Sequence, residues 1–218
     1  MAVLLLRLAA PLQAWGSSSK FIVRSTEREP TKSGVIGMIA AAMGIQRNDD
    51  AKKLAPLAQL RFGVRADKEG VLLKDFHTVQ VPREKHPEVS YRYYLSDAAF
   101  LVALESDDKT LLESIVSALQ KPVYPLYLGR KSCPPTLPVV LGVKDEDMLT
   151  ALKNEPFVYE NDRRKNVRIS YEVSSGGAMV QDVPLSFSQL HRKHGWRMKR
   201  EELFIVDKNA EHDAFSEL

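Results

Sequence analysis

Residues 30–45 read Pro30-Thr31-Lys32-Ser33-Gly34-Val35-Ile36-Gly37-Met38-Ile39-Ala40-Ala41-Ala42-Met43-Gly44-Ile45 and predict an apolar helix of small side chains. The first turn of a helix carries unpaired N–H groups and the positive end of the helix dipole, which together favour an anion. Lys32, flanked by the hydroxyls of Thr31 and Ser33, is therefore a candidate phosphate ligand. A capping Thr31 or Ser33 beside Pro30 is also common in helices that bind nothing.

A nucleotide-binding P-loop is excluded at this helix. That motif places Lys-Ser at a helix start, but it needs a glycine directly before the lysine and another one further upstream. Thr31 and Thr26 stand at those two places. Without a glycine-rich loop there is no cradle of backbone amides for a triphosphate, so the sequence does not indicate an ATPase or GTPase.

The elements around this helix predict an α+β fold. An apolar strand over 3–8 precedes it, and an alternating pattern predicts a hairpin that pairs residues 59–66 with 71–79. A buried strand over 98–104, a helix opened by Asp107-Asp108-Lys109-Thr110, and a short strand over 137–141 follow. This order is close to a ferredoxin-like or RRM-like βαββαβ unit. We expect that unit in residues 1–144, with a thumb insertion at about 80–95, and a small antiparallel β region in 145–218.

Composition sets the broad class of the protein. The 218 residues carry a formal net charge of +3, which permits nucleic-acid binding without demanding it. Cys133 is the single cysteine, so an internal disulfide is impossible and a reducing compartment, the cytoplasm, is expected. No apolar run is long enough to cross a membrane. With one thiol and no matching carboxylate pair beside His191 and His194, we expect neither a metal site nor a cofactor.

A second candidate phosphate site is the turn at residues 127–135. Gly129 allows a close backbone approach, and Arg130, Lys131 and Ser132 supply donors to phosphate oxygens. Most such turns simply expose solvated cations. Two sites of this kind would form a groove if the turn lay beside the Thr31 helix, a proximity that the sequence does not decide.

Other side chains have both a nucleic-acid and a structural interpretation. Trp15 and Gln13 suit base stacking and base-edge reading, although a Trp at a strand end is more often in the core. His77 lies two residues after Asp75, and a His with a Tyr and a Lys is enough to cleave RNA in principle. A single strand histidine is more often structural or an RNA contact. The basic segment 191–200, with Trp196, is either a docking surface or a solvated face.

Several segments in this order resemble the CasD family, subunits of the type I-E CRISPR surveillance complex, Cascade. They include Pro11-Leu12-Gln13-Ala14-Trp15-Gly16, Pro30-Thr31-Lys32-Ser33-Gly34, Asp75-Phe76-His77-Thr78-Val79, Tyr94-Leu95-Ser96-Asp97-Ala98 and Tyr127-Leu128-Gly129-Arg130-Lys131-Ser132. The order and spacing match over residues 3–140.

The resemblance implies a non-catalytic subunit that binds and caps the 5′ handle of the CRISPR RNA in antiviral defence. It implies contacts with the backbone subunit CasC and the large subunit CasA, while target DNA is met indirectly, through guide pairing. The RNA-facing residues that it carries over are Gln13, Trp15, Lys20, Arg24, Thr31, Lys32, Ser33, Gly34, Arg47, His77, Arg83, Arg92, Arg130, Lys131 and Ser132.

The alternative function is a metal-independent endoribonuclease that processes precursor CRISPR RNA, as a related subunit does in type I-C systems. Resemblance to the type I-E family argues against it, because a dedicated enzyme, CasE, cuts the precursor there. A generic RRM-like RNA binder is disfavoured by the lack of an aromatic RNP1 pattern.

Overall fold

A computed structural model describes residues 1–16, 23–48, 51–80, 87–159, 166–188 and 190–205. Within these ranges the helices are α1 Lys32–Ala42, α2 Ala51–Gln59, α3 Lys109–Gln120 and α4 Met148–Asn154. The strands are β1 Ala2–Ala9, β2 Leu12–Gln13, β3 Val23–Arg24, β4 Arg61–Lys68, β5 Val71–Val79, β6 Glu88–Ser96, β7 Ala99–Ser106, β8 Val140–Lys144, β9 Asn166–Val173, β10 Ala178–Ser186 and β11 Lys193–Ile205. The predicted α+β class is confirmed. None of the described helices has the length and apolarity needed to span a bilayer.

The main sheet has its strands in the order β10-β11-β9-β4-β7-β1-β8, with every neighbouring pair antiparallel. Its central strands are buried on both faces. Along β1, for example, Leu4 and Leu6 face one hydrophobic cluster while Val3 and Leu5 face another. The first cluster includes residues of α1, α2 and α3, and the second includes residues of α4. Helices therefore cover both faces of the sheet.

The C-terminal strands are antiparallel, as expected, and they extend the main sheet. Pairing of β9 with β4, in which Gly63 lies opposite Tyr171, joins β9, β10 and β11 to the N-terminal strands. The division of the chain at residue 145 stays a prediction.

The predicted pairing of residues 59–66 with 71–79 is wrong. β4 pairs with β7 and β9, whereas β5 pairs with β6 from Val71 opposite Ser96 to Val79 opposite Glu88. Burial explains the difference, because β4 is buried along most of its length and β5 is exposed along most of its length. A strand buried on both faces needs partners inside the sheet, and β5 turns away at Gly70, whose φ is +75°.

The hairpin that lies outside the main sheet is therefore longer than the thumb insertion predicted at about 80–95. It comprises β5 and β6 and forms a smaller sheet, in which β2 and β3 also pair with β6. Residues 81–86, including Arg83, lie outside the described residues. A turn of this composition usually joins two paired strands, whereas the β4–β5 turn joins strands of two different sheets.

Candidate nucleic-acid interface

A groove of about 1020 Å³ lies beside the start of α1. Five parts of the chain line it. They are residues 14–16, residues 24–25, the segment 31–47 that contains α1, the turn 124–131 and the β10–β11 connection. The two candidate phosphate sites of the sequence analysis, at the Thr31 helix and at the Gly129 turn, thus share one groove.

The turn that carries Arg130 is fixed by backbone hydrogen bonds. Ala14 N donates to Leu128 O at 3.1 Å, Leu128 N to Cys133 O at 2.7 Å, and Cys133 N to Arg130 O at 2.9 Å. Gly129 has a φ of +89°, and a β-carbon there would lie 1.7 Å from Ala14 O. Glycine is therefore required at this point, for conformation as well as for space.

The Arg130 guanidinium is held in place on the groove wall. Nη2 donates to Arg24 O at 2.8 Å, and the guanidinium lies over the Tyr94 ring, 4.5 Å from its centroid. Nη1 is buried and has no hydrogen-bond partner among the described residues. A planar cation fixed by stacking and by a carbonyl loses little freedom when it binds an anion.

The charge of the groove is one-sided. Its described lining residues include five cationic side chains, with neither a carboxylate nor a histidine among them. The cations are Arg24, Arg47, Arg130, Lys131 and Arg192. All but the half-buried Arg130 are exposed. Low-dielectric walls lined by one sign of charge concentrate the field and attract a polyanion.

Lys32, the predicted phosphate ligand, does not line the groove. It is 2% exposed, and its Nζ lies 2.9 Å from Glu172 Oε2 on β9. Burial lowers the pKa of Lys32, and the ion pair with Glu172 opposes that shift. The lysine interacts with the protein's own carboxylate because Glu172, on β9, lies within reach of the helix start, an arrangement that the local sequence does not reveal.

The anion at the start of α1 is likewise supplied by the chain. Lys32 N donates to Asp182 Oδ2 at 2.9 Å, and Gly34 N donates to the capping Thr31 Oγ1 at 3.2 Å. Arg197 donates to both oxygens of Asp182, at 2.6 and 2.9 Å. The helix start is capped as the sequence predicts, and Thr31, Ser33 and Gly34 line the groove beside it.

Trp15 and Gln13 belong to the interior. They are 1% and 0% exposed, and Trp15 Nε1 donates to Gln13 Oε1 at 2.9 Å. Gln13 Nε2 donates in turn to Leu8 O and Ala98 O. The indole packs so tightly on α1 that a β-carbon at Gly34 would lie 2.8 Å from its Cε3 atom. Of the two interpretations offered by the sequence, burial favours the core over base stacking.

The remaining predicted residues are spread between the groove's edge and the hairpin. Lys131 lines the groove, and Ser132 follows it as an exposed residue. His77 and Arg92 lie on β5 and β6, where His77 Nε2 is 3.3 Å from Asp75 Oδ2, and neither lines the groove. Lys20 lies outside the described residues, as Arg83 does.

Sequence reasoning about single sites missed Arg192, Phe187 and Tyr124, all of which line the groove. Arg192 belongs to the basic segment 191–200, which the sequence did single out as a surface. Phe187 and Tyr124 carry no local signal, because an isolated aromatic residue outside a strand pattern has many possible locations.

A second cavity of about 460 Å³ lies on the other side of Thr31 and differs from the groove in charge. It is lined by four cations and four carboxylates, together with His194 and Trp196. Glu29 accepts hydrogen bonds there from Arg168, Lys199 and Ser170. Burial alone would raise the pKa of Glu29, but Arg168 and Lys199 outweigh it and the pKa is lowered. This network holds β9 and β11 against the segment before α1.

Comparisons with known proteins agree over most of the chain. The profile of the family described as CRISPR-associated protein (Cas_Cas5) matches residues 3–200. The chain is 40% identical over 157 residues to the CRISPR system Cascade subunit CasD of Escherichia coli (strain K12), which covers 64% of this chain and 70% of that protein. A solved structure described as a crystal structure of Cas protein is 40% identical, with a TM-score of 0.76 over 93% of this chain and 95% of that one. Another, described as a CRISPR RNA-guided surveillance complex, is 34% identical, with a TM-score of 0.82 over 95% of this chain and 92% of that one.

Proposed function

Because the chain belongs to the CRISPR-associated Cas5 family, we propose that it is a non-catalytic subunit of the type I-E surveillance complex, Cascade, whose groove holds the 5′ handle of the CRISPR RNA. The observation that carries this proposal is the charge of the groove, because its described lining residues include five cationic side chains and no carboxylate. Similarity to the Escherichia coli CasD subunit and to a chain of an RNA-guided surveillance complex supports the choice of complex.

The ligand that fits this groove best is a single-stranded RNA. Phosphate oxygens suit Arg24, Arg130 and Lys131, while Tyr124 and Tyr127 on the same wall offer rings on which unpaired bases stack. Phosphate contacts would fix the register of the strand, and contacts to splayed bases would distinguish the handle from other sequences. The hairpin residues His77 and Arg92 remain proposed RNA contacts beyond the groove.

The proposal of a non-catalytic role is supported by the groove's chemistry. A proton acceptor for the 2′-OH of RNA is usually a histidine or a carboxylate, and the described lining residues include neither. His77 lies on the hairpin with Asp75 as its neighbour, and each side chain is 45% exposed.

Partners and fold complete the proposal. As a Cascade subunit the protein would contact CasC and CasA, meet target DNA only through the guide, and work in the cytoplasm, where the buried free thiol of Cys133 stays reduced.

We also propose that residues 1–144 form a ferredoxin-like, RRM-like unit with a thumb. The strand order β8-β1-β7-β4, with α1 after β1 and α3 after β7, supports this assignment.

Binding and cleavage are tested together by incubating the full chain, in EDTA, with labelled handle RNA and with the complete repeat. We expect binding without cutting. Arg130→Gln should weaken binding about 10- to 150-fold, since a hydrogen bond to a charged group contributes about 1.5–3 kcal/mol. Arg28→Gln, an exposed arginine outside the groove, is the matched control. Site-specific cutting that is lost in His77→Ala would instead identify an endoribonuclease, and equal affinities for the two arginine variants would contradict the groove assignment.

A further inference from the structure

The cavity on the other side of Thr31 is lined by two residues with a buried nitrogen atom that has no hydrogen-bond partner in the described part of the chain. These atoms are Nη1 of Arg197 and Nε2 of His194. A buried polar atom left without a partner raises the free energy of the folded protein, so each such atom requires an explanation. Among the described residues only Thr31 lines both this cavity and the RNA groove, so the two sites are separate.

Arg197 is fixed by contacts that leave Nη1 over. The residue is 6% exposed, and Nε and Nη2 donate to the two oxygens of Asp182 at 2.6 and 2.9 Å. The Cζ atom lies 5.1 Å from the centroid of the Phe62 ring. Asp182 is itself held at the start of α1, where it accepts from Lys32 N at 2.9 Å. Because the guanidinium is already immobilised, an acceptor that reaches Nη1 binds to a preorganised donor.

Two large apolar side chains that line the same cavity are exposed. Trp196 and Met179 are 59% and 54% exposed. Trp196 directly precedes Arg197 on β11, and Met179 precedes Val180, which lies opposite Arg197 on β10. An exposed tryptophan next to a buried polar group is typical of a surface that binds protein. Of the two interpretations that the sequence left open for segment 191–200, a docking surface is therefore favoured.

The charge of the cavity favours an uncharged ligand. Its four cations are matched by four carboxylates. Asp182 already pairs with Arg197, and Glu29 pairs with Arg168 and Lys199. A further carboxylate would add an uncompensated charge, and the phosphates of an RNA strand would be repelled by the carboxylates of the cavity. A peptide or carboxamide group brings a donor and an acceptor without a charge.

His194 is suited to the same kind of ligand. Burial and then the charge of Arg192 lower its pKa, so the ring is neutral at pH 7. The nitrogen atoms of a neutral imidazole are one donor and one acceptor, and an amide group offers a partner to either. Gln181 Nε2 donates to His194 O at 3.2 Å, which ties the backbone of His194 to β10.

We propose that this cavity binds a segment of a partner protein, which inserts an uncharged amide group toward Arg197 and packs an apolar side chain on Trp196 and Met179. The proposal does not depend on RNA binding in the groove. It gives the last two strands a role in assembly, since RNA and a partner protein would be held on the two sides of Thr31.

Titration of the full chain with small probes tests the chemistry of the cavity. Benzamide combines a flat apolar ring with an uncharged amide, benzoate has the same shape with a carboxylate, and uridine monophosphate represents RNA. The indole N–H signal of Trp196 in an NMR spectrum reports on the cavity, and that of Trp15, which is 1% exposed, is the internal control. Benzamide should shift the Trp196 signal saturably, benzoate should bind at least about tenfold more weakly, and uridine monophosphate should leave the signal unchanged.

Two variants and a control test which residues bind the probe. Arg197→Lys keeps a positive charge for Asp182 but removes Nη1, and it should weaken benzamide binding about tenfold. Met179→Ala, at an exposed position, should weaken binding without a risk to folding. Leu203→Ala is the matched control, because Leu203 also lies on β11, is 71% exposed and does not line the cavity. The Trp15 signal shows whether each variant is folded.

Several results would overturn the proposal. Benzoate that binds as tightly as benzamide would identify an anion site, and an equal response of Trp196 to uridine monophosphate would identify a nucleotide site. The proposal would also fail if benzamide caused no saturable shift, or if Arg197→Lys and Met179→Ala bound it as tightly as the wild type.

Hydroxyl-radical footprinting tests whether a partner protein occupies the cavity, and this second experiment rests on the proposed function. Oxidation of Trp196 and Met179 should fall when the chain is assembled into the surveillance complex, and handle RNA alone should leave it unchanged. Equal oxidation in the complex and in the RNA-bound chain would refute occupation by a partner. A chain that neither binds the handle nor enters the complex would refute the proposed function, while the probe titration would still decide the chemistry of the cavity.

Discussion

Gly129 lies directly against the backbone of Ala14, at the point where the Arg130 turn joins the loop before α1. The contact is so close that a β-carbon at position 129 would come within 1.7 Å of Ala14 O. The orientation of Arg130 in the groove depends on it, because Leu128 is hydrogen-bonded to Ala14 in the same turn.

Replacing Gly129 by alanine should therefore destabilise the protein and impair RNA binding. The φ of +89° and the backbone clash act together, and we expect a loss of at least about 2 kcal/mol in the free energy of unfolding. Gly142→Ala is a matched control, because its φ is +143° but no atom lies within 4 Å of the added carbon. Urea unfolding of both variants measures the difference, and equal losses would show that the clash with Ala14 is relieved by relaxation.

Lys32 and Lys131 should behave in opposite ways. Lys32→Gln breaks a largely buried ion pair with Glu172, so we expect a loss of about 2–4 kcal/mol in unfolding free energy and little change in RNA affinity of the folded protein. Lys131→Gln, at an exposed position of the groove, should leave stability within about 0.5 kcal/mol and weaken RNA binding. Chemical unfolding and RNA titrations decide between these roles. If Lys32→Gln weakened binding with stability unchanged, Lys32 would be a phosphate ligand after all.

Trp15 should act through stability. Trp15→Phe removes the donor to Gln13 Oε1 and leaves that oxygen buried without its partner, which costs about 1–3 kcal/mol. RNA affinity should change little, because the indole is 1% exposed. Trp196→Phe, at a residue that is 59% exposed, should leave stability nearly unchanged. A Trp15 variant with full stability but weak RNA binding would restore the base-stacking interpretation.

The charge network at Glu29 should make the protein sensitive to acid. The folded pKa of Glu29 lies below its ordinary value of 4.5, so the unfolded chain takes up the proton first as the pH falls. The stability from the ionised carboxylate is fully present above about pH 5 and is lost as the pH falls through the folded pKa. Glu29→Gln should flatten the stability curve in this range, as measured by unfolding at a series of pH values.

His194 provides a separate check on that pH profile. Burial lowers its pKa below the ordinary 6.5, Arg192 lowers it further, and Asp182 opposes the shift. The unfolded chain therefore binds a proton before the folded chain does, and stability from neutral His194 is lost as the pH falls below about 6.5. His194→Gln should flatten the curve there and leave the more acidic part to Glu29. If both variants kept the wild-type curve, other groups would govern the acid response.

Local signals predicted two of the three described helices that precede residue 145, and they missed α2, Ala51–Gln59. The Thr31 cap is confirmed, and so is the helix that begins beside Asp108 and ends before Pro122. Both depend on interactions within a few residues, in which a side chain caps the helix start and an apolar face or a proline sets its extent. The buried strand predicted over 3–8 lies within β1 for a similar reason.

Contacts between distant parts of the chain could not be predicted from the sequence. β5 and β4 have similar patterns, and only their different burial decides that one leaves the main sheet. The ion pair of Lys32 with Glu172 joins two distant parts of the chain. A lysine in a position typical of phosphate binding therefore pairs with a carboxylate of the protein itself. Arg130, by contrast, lines the groove in agreement with the local chemistry of its turn, although the contacts with Arg24 and Tyr94 that hold it there come from distant parts of the chain.

The pairing of β4 with β9 has a practical meaning for anyone who wishes to produce the protein in pieces. A fragment that stopped at residue 144 would lose three strands of the sheet and expose the backbone edge of β4, which is normally protected on that side. Such an edge readily recruits other chains, so the fragment would be prone to aggregate, even though all of its own helices through α3 were present. The strands of the last third of the chain thus protect the edge of β4, and with it the N-terminal strands, from pairing with other chains.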